Sequence, residues 1–194
     1  MSAGSTATAS VVVRDATDAD RGALVVLWRE LMDVHATHDP RFALAADADH
    51  RFLDYVDTAR TREDYRVRVA TAPTRRGRAR GEVLGFTIAC VLPNAPMYRT
   101  RWIGYINDIC VTASARGRGI GRALVRDALD WMKNRGAESF EVYVARSNAA
   151  ASRFWRAVGG TDYLERLSLD PRALDGLDPA AGSDPARGSG DRRS

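Results

Sequence analysis

Residues Arg116-Gly117-Arg118-Gly119-Ile120-Gly121 combine two things a phosphate site needs, backbone that can bend sharply and fixed positive charge. Glycines let successive N–H groups converge on one point, and a helix starting there adds unpaired donors and the positive end of its dipole. The flanks agree with this. Trp102 to Val111 (WIGYINDICV) reads as a buried strand, and Ile120, Leu124, Ala128 and Trp131 recur at helical spacing. A strand, a glycine–arginine loop and a helix start together predict a phosphorylated ligand.

Two familiar phosphate loops do not fit. A P-loop ends in Gly-Lys-Ser/Thr, which reaches the terminal phosphates and holds magnesium, whereas Gly121 is followed by Arg122-Ala123. A dinucleotide fingerprint counted from Gly117 places its third glycine at Arg122, too large for close helix–strand packing. Glu141 stands about twenty residues on, where such a site keeps its acidic residue, but it is an isolated match. The plain alternative is an arginine–glycine turn with no ligand.

The stretch resembles the acetyl-CoA loop of the GCN5-related N-acetyltransferases (GNAT), whose signature Arg/Gln-x-x-Gly-x-Gly/Ala is matched by Arg116, Gly119 and Gly121. That family's later V-x-x-x-N-x-x-A-x-x-F-Y-x-x-x-G-F pattern is matched by Val144, Asn148, Ala151, Phe154 and Gly159, with Trp155 at the tyrosine position and Gly160 at the final phenylalanine. With the upstream strand, the resemblance covers residues 102–160. It implies an α/β fold with a mixed sheet flanked by helices, in which strands around 103–111 and 139–145 splay apart to admit the pantetheine arm. A bulge in the first of these is common in the family. The resemblance further implies acetyl-CoA as co-substrate, with no metal. Backbone at Ile109, Cys110 and Val111 would pair with pantetheine and polarise the thioester carbonyl. Residues Arg116, Gly117, Arg118, Gly119, Ile120, Gly121 and Arg122 would hold the phosphates. Asn148 would bond the cofactor or neighbouring backbone, and a plain N-cap role is compatible with either.

One departure bears on mechanism. The family often places a tyrosine, the acid that protonates the departing sulfur, seven residues after the motif asparagine; here that position is Trp155. An indole N–H donates a hydrogen bond but is not a usable proton donor at neutral pH. The thiolate of CoA can leave unprotonated, so activity survives while the usual acid does not. Trp155 then packs against pantetheine or against the core, and Tyr143, Tyr163 and Tyr98 are the replacement acids, Tyr143 being carried forward.

For the base, Asp108 is the first candidate, because a carboxylate in an apolar strand is costly without a purpose or a partner. Small-amine acetyltransferases carry a similar Glu-Asp pair, of which Asn107-Asp108 keeps half. The alternative is a structural carboxylate satisfied by backbone or an arginine. Strand alternation places Asn107 and Asp108 on opposite faces unless a bulge intervenes. The resemblance makes the first two helices a wall of the acceptor cleft, so Trp28, Glu30, His35 and His38 could line it; a histidine there suits a base in pKa. The expected acceptor is a primary amine on a small cationic molecule. A protein lysine or N-terminus is the alternative acceptor, and a non-catalytic acyl-CoA-binding regulatory domain is the alternative of another class.

The elements that must position these residues follow from pattern. Val11 to Ala16 predicts a short strand, and Asp18 a cap for a helix with Leu24, Leu27, Trp28, Leu31 and His35 on one face. A second helix is expected over 49–60, strands over 65–71 and 82–92 joined by a turn region at 73–81, and a helix after the loop stopping at Gly136. A strand over 139–145, a helix over 149–158 and a final strand over 163–169 complete the order.

At 194 residues one core is expected, with 1–9 a flexible start, 10–169 the acetyltransferase domain and 170–194 a polar disordered tail. The net charge of +4 is modest, and the Arg75–Arg80 cluster lacks the interleaved aromatics of a single-strand nucleic-acid platform. Cys90 and Cys110 lie in apolar runs without metal-ligand spacing and are expected to be buried thiols. No signal peptide or membrane span is expected, hence a cytoplasmic location. A homodimer is common in the family, and no interface pattern decides it here.

Overall fold

The computed structural model describes residues 11–74 and 81–170. Five strands, β1 (Val12–Asp15), β2 (Tyr65–Thr71), β3 (Val83–Pro93), β4 (Trp102–Val111) and β5 (Ser139–Glu141), lie in that spatial order. Each neighbouring pair is antiparallel except β4 and β5, which run parallel. Among the described residues four helices flank the sheet: α1 (Arg21–His38), α2 (Ala48–Thr61), α3 (Ile120–Asn134) and α4 (Ala149–Ala157).

The helices sort by their apolar stripes. Leu24 and Leu27 of α1 and Phe52 and Val56 of α2 bury against Phe86 and Ile88 of β3 on one face of the sheet. On the opposite face, Val125, Ala128 and Met132 of α3 bury against Ala89 and Val91 of β3 and Ile106 of β4, with Phe154 and Trp155 of α4 packed alongside. Burying each of these large side chains stabilises the fold by about 1.5–3 kcal/mol before chain entropy is counted.

Asp20 rather than Asp18 stands at the start of α1, because a 3₁₀ turn at Asp18–Asp20 precedes the helix. The buried Asp20 carboxylate accepts two bonds from Arg14 at 2.7 and 2.8 Å, and bonds from Thr17 N and Oγ1, both at 2.8 Å. Asp18 instead accepts from Arg60 at 2.6 Å.

Two expected strands differ. β5 ends at Glu141 rather than at 145, since its ladder with β4 stops at the Tyr105–Glu141 pair and the residues beyond have no ladder partner. Residues 163–169 form no strand: the alternating pattern is present, but a strand needs a partner edge, and Tyr163, Leu164, Leu167 and Leu169 are exposed. The described residues up to Gly159 make one compact unit, and the described residues from Gly160 belong to a second. The Arg75–Arg80 cluster, residues 1–10 and the tail from 171 lie outside the described residues.

Candidate active site

Everything at the site turns on a defect in β4. Its register with β3 pairs Ile88 with Asp108 but Ala89 with Ile106, so Asn107 is an extra residue, a β-bulge. Without it, Asn107 and Asp108 would point to opposite faces. With it, both lie on the α1/α2 face: Asp108 is paired with Ile88, which faces that core, and Asn107 Oδ1 accepts from Cys90 Sγ at 3.2 Å. Two residues before the bulge the β4–β5 ladder ends, and among the described residues no strand pairs with that edge of β4 from Ile106 to Val111. Bulge and splay therefore coincide.

Asp108 is largely buried, and among the described residues its carboxylate has no hydrogen bond or ion pair. Burial pushes it up to about 6. Its backbone carbonyl is taken by Thr87 Oγ1 at 3.0 Å, so the main chain is held while the side chain is left unpaired. Tyr55 of α2 lies near enough that the Asp108 charge, after burial, helps to raise its phenol above the ordinary value. A lone carboxylate titrating near neutrality is suited to accept a proton at physiological pH.

At the other end of β4 the loop takes the form that the glycines allow. Gly117 and Gly119 have φ of +76° and +82°, and a Cβ on either would meet nothing within 4 Å. The space beside both is open, so the residue identity is set by backbone conformation. None of the N–H groups from Gly117 to Arg122 donates to a backbone carbonyl among the described residues; the first helical bond is Ala123 N to Gly119 O at 3.1 Å. Gly121 answers a different need, because a Cβ there would lie 3.1 Å from the Phe154 ring of α4. Ile120 is buried in the third core cluster and anchors the turn, and Arg122 is exposed. These donors, together with the arginines, suit a pyrophosphate.

Arg116 and Arg118 fold back onto the loop. Arg116 donates Nε to Val111 O at 3.0 Å and Nη2 to Glu30 Oε1 at 2.6 Å, and Arg118 donates Nη2 to Ser114 O at 2.9 Å. Glu30 Oε1 also accepts from Ala113 N at 2.8 Å. Glu30 of α1 thus clamps the approach to the loop, a role that its sequence position did not reveal. Ile109 and Val111 pack toward α3, while Cys110 is buried on the α1/α2 face with its thiol pushed up to about 12, so this segment offers a ligand its backbone.

Asn148 is the N-cap of α4, accepting from Ala151 N at 2.9 Å. Trp155, partly buried, packs edge-on against Phe154 and against the α3 cluster. Trp28 stacks on Phe52 with centroids 4.5 Å apart. His35 lies tilted against Phe42, its Nδ1 buried and unbonded, and burial followed by the charge of His38 lowers its pKa.

A cavity of about 340 Å³ opens beside the bulge, lined by Asn107 and Tyr143 among others. Two further lining residues, Tyr105 and Cys90, escaped sequence reasoning. Tyr105 was findable, since alternation puts it on the face of Asn107. Trp28 and His35 are not among the residues that line it. A larger groove, about 760 Å³, lies elsewhere, among ion pairs around Arg21, Asp57 and Arg60, and contains none of the candidate residues. Among the described residues no helix is long and apolar enough to cross a membrane, and no group of three or more His, Cys, Asp or Glu could hold a metal ion.

Comparison with known proteins agrees with this arrangement. The model of the acetyltransferase (GNAT) family matches residues 28–159, and the chain belongs to that family. An N-acetyltransferase of Methanocaldococcus jannaschii is 34% identical over 79 residues, covering 41% of this chain and 34% of that protein. The aminoglycoside N(6')-acetyltransferase type 1 of Klebsiella aerogenes is 31% identical over 99 residues, covering 51% of this chain and 61% of that protein. The matches thus span about a third to three-fifths of those relatives' lengths. Among solved structures, the BH1408 protein of Bacillus halodurans superposes with a TM-score of 0.68 at 22% identity, over 82% of this chain and 99% of that one. An aminoglycoside N-acetyltransferase crystallised with CoA gives 0.64 at 15% identity, over 84% and 95%.

Proposed function

We propose that this protein transfers the acetyl group of acetyl-CoA to the primary amine of a small molecule, with Asp108 as the base. The observation that carries the reading is the coincidence of bulge and splay. It sets an unpaired, largely buried carboxylate beside an open strand edge that leads to a loop of free N–H donors.

The loop from Arg116 to Arg122 holds the phosphates, and the open edge near Ile109 to Val111 offers backbone groups to the pantetheine amides. Acetyl-CoA supplies the activated carbonyl and a thiolate leaving group. Asp108 takes the proton of the acceptor ammonium, directly or through one water, which frees the nitrogen lone pair for attack on that carbonyl. As the N–C bond forms and the C–S bond breaks, the electron pair leaves on sulfur. Tyr143 is the phenol available to protonate it, since Trp155 has no transferable proton. Asn148 both caps α4 and offers its amide to the cofactor.

Thiol release from acetyl-CoA with a panel of amines tests the assignment. Release that requires an amine and is lost in Asp108→Asn supports it. Stabilisation by acetyl-CoA without release on any small amine overturns it in favour of a protein acceptor or a regulatory domain.

A further inference from the structure

The cavity beside the bulge carries information on the acceptor that the catalytic groups do not. It is walled by the stacked rings of Tyr105 and Tyr143, centroids 6.4 Å apart and planes 15° from parallel, and by Leu92, Ile103 and Ile106. No residue lining it bears a formal charge. Its volume, about 340 Å³, is at the small end for ligand sites. The side-chain amide of Asn107 is held through its Oδ1 by the Cys90 thiol, which leaves N–H groups as what it offers the cavity. Just outside, Glu141 sits by Tyr105, and its charge, after burial, raises that phenol's pKa.

A polycation spread through such a space would leave ammonium groups against the aliphatic wall of Leu92, Ile103 and Ile106, with no carboxylate among the lining residues to pair them. A flat apolar body fits its walls, gaining both burial and ring stacking. We infer that the acceptor carries a single primary amine on a compact aryl-alkyl body. The ring lies between Tyr143 and the aliphatic wall, and the amine reaches past Asn107 toward Asp108. This inference rests on the acetyl-transfer reading and narrows it: the acceptor's positive charge is confined to the reacting nitrogen.

The test compares thiol release from acetyl-CoA with 2-phenylethylamine, spermidine and kanamycin, on the full chain and two variants. The expected kcat/KM for 2-phenylethylamine exceeds that for either polycation by about tenfold or more. Tyr143 is 69% exposed, so Tyr143→Ala leaves the fold intact; an unchanged melting shift with acetyl-CoA confirms this. That variant raises KM for 2-phenylethylamine about tenfold, whereas Tyr143→Phe, which keeps the ring, leaves KM unchanged whatever it does to kcat. Preference for spermidine or kanamycin, or a KM indifferent to Tyr143→Ala, overturns the inference and leaves acetyl transfer standing. Release with none of the amines, despite stabilisation by acetyl-CoA, removes the underlying reading and the inference with it.

Discussion

Replacing Asp108 with asparagine removes a charge that the fold holds at a cost, and the consequences for stability and activity run in opposite directions. The side chain has no partner among the described residues, and burial alone moves it from an ordinary 3.8 to about 6. That rise corresponds to about 3 kcal/mol of disfavoured ionisation in the folded state. Because the folded protein holds this proton more tightly than the unfolded chain, the penalty is absent below pH 3.8 and complete above about 6. At pH 8, Asp108→Asn is therefore expected to be more stable than the parent by up to about 3 kcal/mol, a rise in Tm of roughly 6–12 °C for a chain of this size. At pH 4 the two should melt nearly together. Turnover should fall by about 10²–10⁴-fold, the usual loss when a general base is removed. In the parent, kcat/KM should drop as pH falls through about 6. Melting curves at pH 4, 6 and 8 and a pH–rate profile on one amine check all of this. A variant no more stable at pH 8 than at pH 4, relative to the parent, would mean that the Asp108 carboxylate is solvated or paired, not buried alone.

Other perturbations test the parts around it. Gly119→Val forces a β-branched residue to φ +82°, costing about 1–3 kcal/mol, and should abolish the acetyl-CoA melting shift before the fold is lost. Glu30→Ala frees both Arg116 and Ala113 N, and should weaken acetyl-CoA binding about fivefold by calorimetry; an unchanged Kd would contradict the clamp. Asp20→Ala leaves Arg14 partly buried without its counter-charge and should cost about 3 kcal/mol at neutral pH. Arg14 and the Thr17 bonds hold the Asp20 carboxyl below its ordinary value, so its contribution is full at neutral pH. The melting gap between Asp20→Ala and the parent should therefore shrink on acidification below pH 3.8, not on raising the pH.

Residues whose types are forced by backbone geometry were the legible ones. The loop glycines announced themselves because positive φ at Gly117 and Gly119 and the close approach of Phe154 to Gly121 leave little choice of residue. β2 and β4 have the bounds that their apolar runs predict. The bulge was legible only as a possibility, since register is a property of two strands and nothing in β4 alone says where β3 slips by one. The end of β5 was hidden for the same reason. Cys90 and the Glu30 clamp depend on contacts across 17 and 86 positions of sequence. Arg14 and Asp20 show the local counterpart, in which a 3₁₀ turn moves the N-cap of α1 from Asp18 to Asp20, two residues on.

The most direct measurement is mass detection of the acetylated amine and free CoA after incubating the protein with acetyl-CoA and 2-phenylethylamine, with Asp108→Asn in parallel. The parent is expected to give one N-acetyl product per CoA released, and the variant at least a hundredfold less product. Equal product from the two proteins, each binding acetyl-CoA with the same affinity, would contradict Asp108 as the base.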